Sequence, residues 1–177
     1  MIDSHKIDYS KLETLNVSRE TFLELDEFKE MILDENKKIN LISQHTEELA
    51  RDRHIIDCAQ IIDLIDENHL SCTDLGSGSG LPGLVIAIIK KKQKSNMKFF
   101  LYEKSFKKSN FLKKVINKFE LNAEVINQNI FDQKKLNSDL IVARAFKPLP
   151  VIVDVVTKIF IVFKDIILFL GKSGKGS

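Results

Sequence analysis

The sequence predicts an α/β fold built on a doubly wound, mainly parallel sheet. Strand-like and helix-like segments alternate through the second half of the chain, a glycine-rich turn joins one strand to one helix, and helical segments come first. Strands separated by helices form parallel sheets because each crossover returns along a sheet face. We divide the 177 residues into a helical N-terminal extension at 1–66, a sheet domain at 67–171 and a flexible tail at 172–177.

Composition narrows the class of protein. Hydrophobic residues make up 44% and the net charge is +2, which is too mild to indicate a nucleic-acid partner by itself. The two cysteines and four histidines lack metal-ligand spacing, so we expect buried thiols and no metal site. A polar N-terminus and charges within the apolar stretch 151–170 predict neither a signal peptide nor a membrane span, and hence a cytoplasmic protein.

The N-terminal extension reads as helical. From Ser18 onward apolar residues recur at helical spacing, a break follows at Asn36 to Ser43, and Thr46 opens a further segment. Another helix is predicted from Arg53 to Ile65. Beyond it, strands are expected at 72–75, 98–103, 123–127, 138–144 and 166–170, and helices at 84–89, 105–119 and 149–162.

The glycine-rich turn, Cys72 to Gly83, carries the most chemical information. Its alternating glycines permit positive φ and let backbone N–H groups approach a ligand closely. Pro82 is expected at the first position of the following helix, where its missing N–H costs nothing. Free N–H groups at such a helix start favour a nucleotide site.

Two nucleotide motifs compete for this turn. Gly78-x-Gly80-x-x-Gly83 fits the dinucleotide fingerprint, whereas Asp74-x-Gly76-x-Gly78-x-Gly80 fits the S-adenosylmethionine pattern of Rossmann-like methyltransferases. The second motif is favoured because the Asp74 carboxylate can meet the ammonium of the methionine moiety. A dinucleotide has no cationic group at that place.

Glu103 ends the next predicted strand, where a carboxylate can accept hydrogen bonds from both ribose hydroxyls of a nucleoside. This role is common to NAD and S-adenosylmethionine proteins. The alternative is a solvated acid that pairs with Lys104 or Lys107. On the following helix, Lys107, Lys114 and Lys118 form either a solvated face or a phosphate-contacting surface.

Four segments together resemble one family. Asn40 to Ser43, Arg53 to Cys58, the Asp74 to Gly83 loop and Ala143 to Phe146 are similar, in this order, to the small-subunit rRNA guanine-N7 methyltransferases of the RsmG or GidB family. The resemblance runs from about residue 20 to Gly171. It implies a bacterial, S-adenosylmethionine-dependent enzyme with a Rossmann-like sheet that methylates N7 of a guanine in 16S ribosomal RNA. We expect a monomer that acts on the RNA or on the small ribosomal subunit.

The resemblance also implies roles for site residues. Arg144 is expected in the active site, where it positions the reactants by holding the cofactor carboxylate, a phosphate or guanine O6. A structural ion pair of Arg144 with Asp139 or Asp57 is the alternative. The remaining expected cofactor contacts are Asp74, Gly76, Ser77, Gly78, Gly80, Leu81, Glu103, Asn129, and the adenine-flanking pair Ile130 and Phe131.

Three residues are candidates for the RNA-facing side of the pocket. His54 and Asp57 are one helical turn apart and belong to the Arg-His-x-x-Asp segment of the family. Phe146 can stack on a base or serve as a core residue. No general base is expected, because guanine N7 has a free lone pair and the protein contributes mainly alignment.

Two departures from the family pattern leave alternatives open. Asn129 stands where relatives have an arginine, so that contact is dispensable or is supplied by Lys134 or Lys135. The last strand pair of the family is missing after residue 171, which predicts an open sheet edge. The alternative functions are an NAD-dependent oxidoreductase and a non-catalytic RNA- or ribosome-binding remnant of the methyltransferase fold.

Overall fold

The computed structural model describes residues 17–42, 51–144 and 146–169. The longer helices are α1 (Arg19–Asn36), α2 (Arg51–Gln60), α3 (Gly83–Lys92), α4 (Phe106–Phe119) and α5 (Leu149–Ile159). The strands are β1 (Ser71–Leu75), β2 (Lys98–Tyr102), β3 (Ala123–Ile126), β4 (Leu136–Asn137), β5 (Leu140–Arg144), β6 (Phe160–Val162) and β7 (Asp165–Phe169). Short 3₁₀ helices lie at Ile61–Leu64 and Ile130–Asp132.

Five strands form one parallel sheet in the order β3-β2-β1-β5-β7. The chain runs outward from β1 to β3 on one side and then returns to place β5 on the other side of β1. This reversal makes the carboxyl ends of β1 and β5 the switch point where ligands bind in open α/β sheets. The predicted doubly wound, mainly parallel fold is confirmed.

The two faces of the sheet bury different helices. Alternate residues of β5 point to opposite faces, with Leu140 and Val142 in the core under α3 and α4, and Ile141 and Ala143 in the core under α5. This alternation follows from the two-residue period of a strand. Because the central strands β1 and β5 are buried along most of their length, their ends rather than their faces remain open to ligands.

Helix α1 packs into the same core as α3 and α4. The Ser18 side chain caps α1 by accepting a hydrogen bond from the Thr21 N–H at 3.3 Å, as an N-cap serine commonly does. Leu25, Phe28 and Ile32 recur at helical spacing and are buried. The predicted start of this helix at Ser18 and its apolar face are therefore confirmed.

Several predicted boundaries were wrong in detail. The helix predicted from Arg53 to Ile65 ends at Gln60 and continues as the 3₁₀ turn Ile61–Leu64. Pro82 is the residue before α3 rather than its first helical residue, because α3 begins at Gly83. The segment predicted to open at Thr46 lies outside the described residues.

A small two-stranded sheet was also missed. The helix predicted to reach Val162 ends at Ile159, and β6 then pairs in parallel with β4. Strands of two or three residues show no measurable alternation, so an apolar run after a helix is easily read as more helix.

The amino-terminal edge of the sheet is closed by a polar network. One carboxylate oxygen of Asp139 accepts from the N–H groups of Leu70 and Ser71 at 2.7 and 3.1 Å, and the other pairs with the Lys164 ammonium at 2.9 Å. His69 is buried and pairs with Asp165 at 3.0 Å. No helix within the described residues combines the length and apolar character needed to span a membrane.

Candidate functional site

A cavity of about 700 Å³ opens at the carboxyl ends of the central strands. Its walls come from the turn after β1, the end of β2 with the start of α4, the 3₁₀ turn at Ile130–Asp132, and residues Arg144, Phe146 and Lys147. Leu41, Ile42 and His54 close it from the helical N-terminal part. The cavity therefore lies at the switch point that the strand order defines.

Gly76 turns the chain at the end of β1. Its φ is +69°, in the left-handed region where residues with a Cβ are strained. A Cβ on Gly76 would also collide with the ring of Phe146, whose Cε2 would lie 2.7 Å away. The glycine therefore serves both the turn and the close approach of Phe146, which joins the β1 turn to the segment after β5.

Asp74 is not among the residues that line the cavity, and the expected contact of its carboxylate with the cofactor stays a prediction. Its side chain is 1% exposed and accepts a hydrogen bond from the Gly83 N–H at 3.0 Å. Burial raises the pKa of Asp74 to about 7, against hydrogen bonds from Gly83 and Ser77 that lower it. Through this hydrogen bond Asp74 of β1 holds the first turn of α3 in place. It thereby fixes both ends of the glycine turn, on the side away from the cavity.

Glu103 faces the cavity, as the sequence predicts. Its two carboxylate oxygens accept from the N–H of Gly78 at 2.9 Å and from the N–H of Ser105 at 2.7 Å. Asn127 donates to the Glu103 carbonyl at 2.8 Å. An ionised carboxylate has about four lone-pair directions, so Glu103 is held firmly and can still accept from two hydroxyl groups. The alternative ion pair with Lys104 or Lys107 is absent among the described residues.

Two aromatic rings form one wall of the cavity. The ring centroids of Phe131 and Phe146 are 6.0 Å apart and tilted by 30°. Phe131 is 44% exposed, whereas Ile130 beside it is buried. Asn129 caps this turn by accepting from the Phe131 N–H at 3.3 Å. The predicted trio Asn129, Ile130 and Phe131 thus lines the cavity together, and its exposed ring offers an apolar face to a flat ligand.

Arg144 ends β5 at the edge of the cavity. Its guanidinium donates to Nδ1 of His54 and to the Cys58 sulfur at 3.4 Å, and it lies 5.4 Å from the centre of the Phe169 ring. The alternative ion pairs were wrong: among the described residues Arg144 has neither Asp139 nor Asp57 within 4.0 Å, and Asp139 pairs with Lys164 at the opposite edge of the sheet. Arg144 is therefore oriented by groups from α2 and β7.

Cys58 and Cys72 are buried free thiols, as predicted. Burial raises the pKa of the Cys58 thiol to about 12, although the neighbouring Arg144 acts to lower it. Such a thiol remains protonated and unreactive near neutral pH. No group of three or more His, Cys, Asp or Glu side chains within residues 17–42, 51–144 and 146–169 could hold a metal ion.

The predicted lysine stripe on α4 faces another helix. Lys114 pairs with Glu35 at 3.3 Å and Lys118 with Glu27 at 2.8 Å, so both ammonium groups bind carboxylates of α1. Neither lines the cavity, and Lys107, Asp57 and Gly80 also lie outside its walls. For Lys114 and Lys118, the structure thus favours an intramolecular role over the predicted RNA contact.

Other cavity residues were not singled out from the sequence. They come from segments far apart in the chain: Leu41, Ile42, Ser79, Tyr102, Lys104, Lys108, Gln128 and Lys147. Lys134 and Lys135, suggested as substitutes for the arginine missing at Asn129, do not line the cavity. Leu41 and Ile42 belong to the family-like segment Asn40 to Ser43, Ser79 belongs to the glycine-rich turn, and Lys104 directly follows Glu103, so these four had a signal in the sequence.

Sequence comparison identifies relatives along most of the chain. Residues 22–175 match the model of the GidB family, described as rRNA small subunit methyltransferase G. A ribosomal RNA small subunit methyltransferase G of Pelagibacter ubique is 51% identical over 170 residues, which cover 95% of this chain and 80% of the relative. Its counterpart in Ruegeria pomeroyi is 38% identical over 136 residues, covering 77% of this chain and 66% of the relative.

Comparison with solved structures bears on the fold. A coclaurine N-methyltransferase bound to N-methylheliamine and S-adenosylhomocysteine (SAH) aligns with a TM-score of 0.54 and 15% identity, covering 89% of this chain and 55% of that one. A Plasmodium falciparum protein assigned to the L-isoaspartate O-methyltransferases, in complex with S-adenosyl-L-homocysteine, gives 0.52 at 21% identity, covering 77% and 69%. These likenesses support a methyltransferase-type Rossmann fold. The sequence matches go further: this chain belongs to the GidB family, rRNA small subunit methyltransferase G.

Proposed function

We propose that this chain transfers the methyl group of S-adenosylmethionine to N7 of a guanine in 16S ribosomal RNA, free or within an assembling small subunit in the cytoplasm. The observation that carries the proposal is the link between the glycine turn and Glu103. The Gly78 N–H donates to Glu103 at 2.9 Å, so that the glycine turn and this carboxylate are held together in the wall of one cavity. Membership of the GidB family supports the same reaction.

The cavity fits such a cofactor. Its volume of about 700 Å³ lies within the range of roughly 300–1,000 Å³ typical of small-molecule sites. Glu103 supplies acceptors for ribose hydroxyls, and Phe131 supplies an apolar face for adenine. Gly76, Ser77, Gly78 and Leu81 line the side where the methionine moiety would lie. Asp74 and Gly80 act from behind this wall by fixing the turn.

When bound, S-adenosylmethionine supplies a sulfonium methyl that guanine N7 attacks in line as the carbon–sulfur bond breaks and leaves a neutral thioether. The chain's own residues contribute alignment. No proton has to leave N7, so no side chain is required to act as a base. Phe146, held against Gly76, offers a surface on which the target base can lie.

Arg144 acts as a positioning residue in this proposal. The purine becomes more positive as N7 is methylated, so a cation pressed against the ring would oppose the reaction. His54, Cys58 and Phe169 fix the direction of its guanidinium. Held in this way, Arg144 can donate to the methionine carboxylate, a phosphate or guanine O6.

The proposal is tested by calorimetric titration with S-adenosylmethionine, SAH and NAD, followed by methylation of small subunits that lack the modification. Glu103→Ala should weaken nucleoside binding by at least ~10-fold, equivalent to ~1.4 kcal/mol. Glu124→Ala, which removes an exposed carboxylate paired with Lys98, is the matched control. Chemical cleavage specific for 7-methylguanosine then locates the product.

The outcomes separate the alternatives. Binding of SAH without NAD, with product at N7, supports the proposal. Binding of NAD alone would favour an oxidoreductase. A folded chain that binds small subunits without binding the cofactor would be a non-catalytic remnant, and the proposed reaction would be excluded for it.

A further inference from the structure

Many lysines on the surfaces away from the cavity have carboxylate partners. Examples are Lys92 with Glu24 at 2.9 Å, Lys98 with Glu124 at 3.2 Å, and Lys158 with Asp154 at 2.8 Å. Lys91, Lys114, Lys118 and Lys164 also have carboxylate partners within 4.0 Å. Pairing is common but not universal on these surfaces: in the part of the chain that the structure describes, Lys113, Lys134 and Lys135 have no carboxylate within 4.0 Å. The lack of a partner therefore marks a binding surface only where several lysines surround one opening.

Three lysines that have no carboxylate partner among the described residues surround the cavity. Lys104, Lys108 and Lys147 line the cavity, and in the described part of the chain none of them has a carboxylate within 4.0 Å. The nearest acid in sequence, Glu103, directs its oxygens to the N–H groups of Gly78 and Ser105 instead. The rim of the cavity therefore carries uncompensated positive charge, which attracts anions.

The position of two of these lysines is not explained by stability. Lys104 precedes α4, and Lys108 lies in its first turn, which contains no acidic residue. The amino end of a helix is electropositive and favours anions, so a cation there is mildly destabilising. The same site becomes favourable once an anion binds between the lysines and the helix start.

The three lysines also stand on both sides of the glycine turn. Lys104 and Lys108 follow β2, and Lys147 follows β5, while β2 and β5 are the two neighbours of β1 in the sheet. A chain of phosphates crossing the mouth of the cavity would meet positive charge on either side of the reaction centre.

We propose that Lys104, Lys108 and Lys147 bind consecutive backbone phosphates of a single-stranded or locally unpaired RNA segment and so present one base to the cavity. This rests on the proposed function, and it assigns RNA binding to the cavity rim instead of the α4 stripe. Phosphate contacts of this type carry affinity and register without reading sequence. A base has to leave its stack to reach an enclosed site, so an unpaired segment is the form that fits.

Salt dependence tests the proposal. Binding of a 16S ribosomal RNA transcript is measured across a series of KCl concentrations for the parent chain and for Lys104→Gln/Lys108→Gln/Lys147→Gln. Each single-strand phosphate contact contributes about −0.7 to the slope of log K against log salt concentration. The slope of the triple variant should therefore be less steep than that of the parent by about 2. Single substitutions, each expected to remove about 0.7, replace the triple variant if it proves unstable.

The matched control is Lys92→Gln/Lys98→Gln/Lys158→Gln, which removes the same net charge from paired surface lysines. Its slope should stay within about 0.5 of the parent value. Equal losses in both triple variants, or no loss in the cavity variant, would overturn the proposal. Calorimetry with S-adenosylmethionine is run on every variant. If the parent chain does not bind the cofactor, the proposed function is refuted. The salt slopes test the role of the three lysines independently of that result.

Discussion

An aspartate lies at each end of the parallel strands, Asp139 at the amino edge and Asp74 at the carboxyl edge. Their pKa values are shifted in opposite directions. At the amino edge, the Lys164 ammonium and the Leu70 N–H lower the pKa of Asp139 to about 2. At the carboxyl edge, burial raises the pKa of Asp74 to about 7. The same residue type thus favours folding at one edge when ionised and opposes it at the other.

The difference shows how the molecule separates stability from function. The amino edge pairs its charges and closes the ends of β1, β5 and β7. The carboxyl edge withdraws Asp74 from water and leaves the cavity lysines without carboxylate partners among the described residues. Unbalanced charge at the carboxyl edge is the arrangement expected of a site that receives an anionic ligand.

Of the substitutions considered, Asp74→Asn should have the largest effect on the free energy of unfolding. The folded-state pKa of Asp74 is above its unfolded value, so the parent loses stability as pH rises from about 4 to about 7. The full shift corresponds to at most roughly 4 kcal/mol at 1.36 kcal/mol per pKa unit. Urea unfolding at pH 5, 6, 7 and 8 should show the variant gaining stability relative to the parent as pH rises. Parallel curves would contradict this assignment.

Gly76→Ala should distort the cavity wall at the carboxyl edge and leave the polar network at the amino edge unchanged. The positive φ costs about 1–2 kcal/mol, and the added Cβ displaces Phe146. Gly78→Ala is the matched control, because Gly78 has φ of +56° and its Cβ would meet only the Gly76 carbonyl at 3.8 Å. Calorimetry should give a loss of SAH affinity of ~10-fold or more for Gly76→Ala beyond that of the control. Equal losses would show that Phe146 adapts freely.

Asp139→Asn should weaken the amino edge alone. The folded pKa of Asp139 lies below its unfolded value, so its contribution is present above about pH 4 and is lost as pH falls toward 2. After allowance for solvent screening we expect a loss of about 1 kcal/mol at pH 7, constant between pH 5 and pH 8. SAH affinity should be unchanged. A pH-dependent loss in that range would point to another group.

Lys114→Gln should have the smallest effect. In its ion pair with Glu35 the Lys114 side chain is 61% exposed, and surface pairs of this kind contribute about 0.2–1 kcal/mol. The free energy of unfolding should fall by no more than about 0.5 kcal/mol, and the salt dependence of RNA binding should not change. A salt slope reduced by about 0.7 would return Lys114 to the RNA-binding surface.

Local features of the chain were predicted correctly from the sequence. The positive-φ glycines, the Ser18 cap and the apolar periodicity of α1 act within a few residues, so their signals are written in short stretches of sequence. The strand-ending position of Glu103 also follows from a local pattern. These features were sufficient for the fold class and for the core of the candidate site.

Long-range partners could not be predicted in this way. Lys114 meets Glu35 and Arg144 meets His54 across large separations along the chain, and nothing in either local sequence specifies the pairing. The direction of Asp74 depended on whether α3 packs closely enough for the Gly83 N–H to reach its carboxylate.

Backbone preference and apolar period are properties of neighbouring residues, so the fold class, the glycine turn and the family could be recognised from the amino-acid sequence. Folding was needed to show which lysines are neutralised, which acids face the cavity and where Arg144 points. Those outcomes depend on charge interactions and burial that arise when distant segments come together. The free energy of each contact depends on both partners, so neither local sequence specifies it.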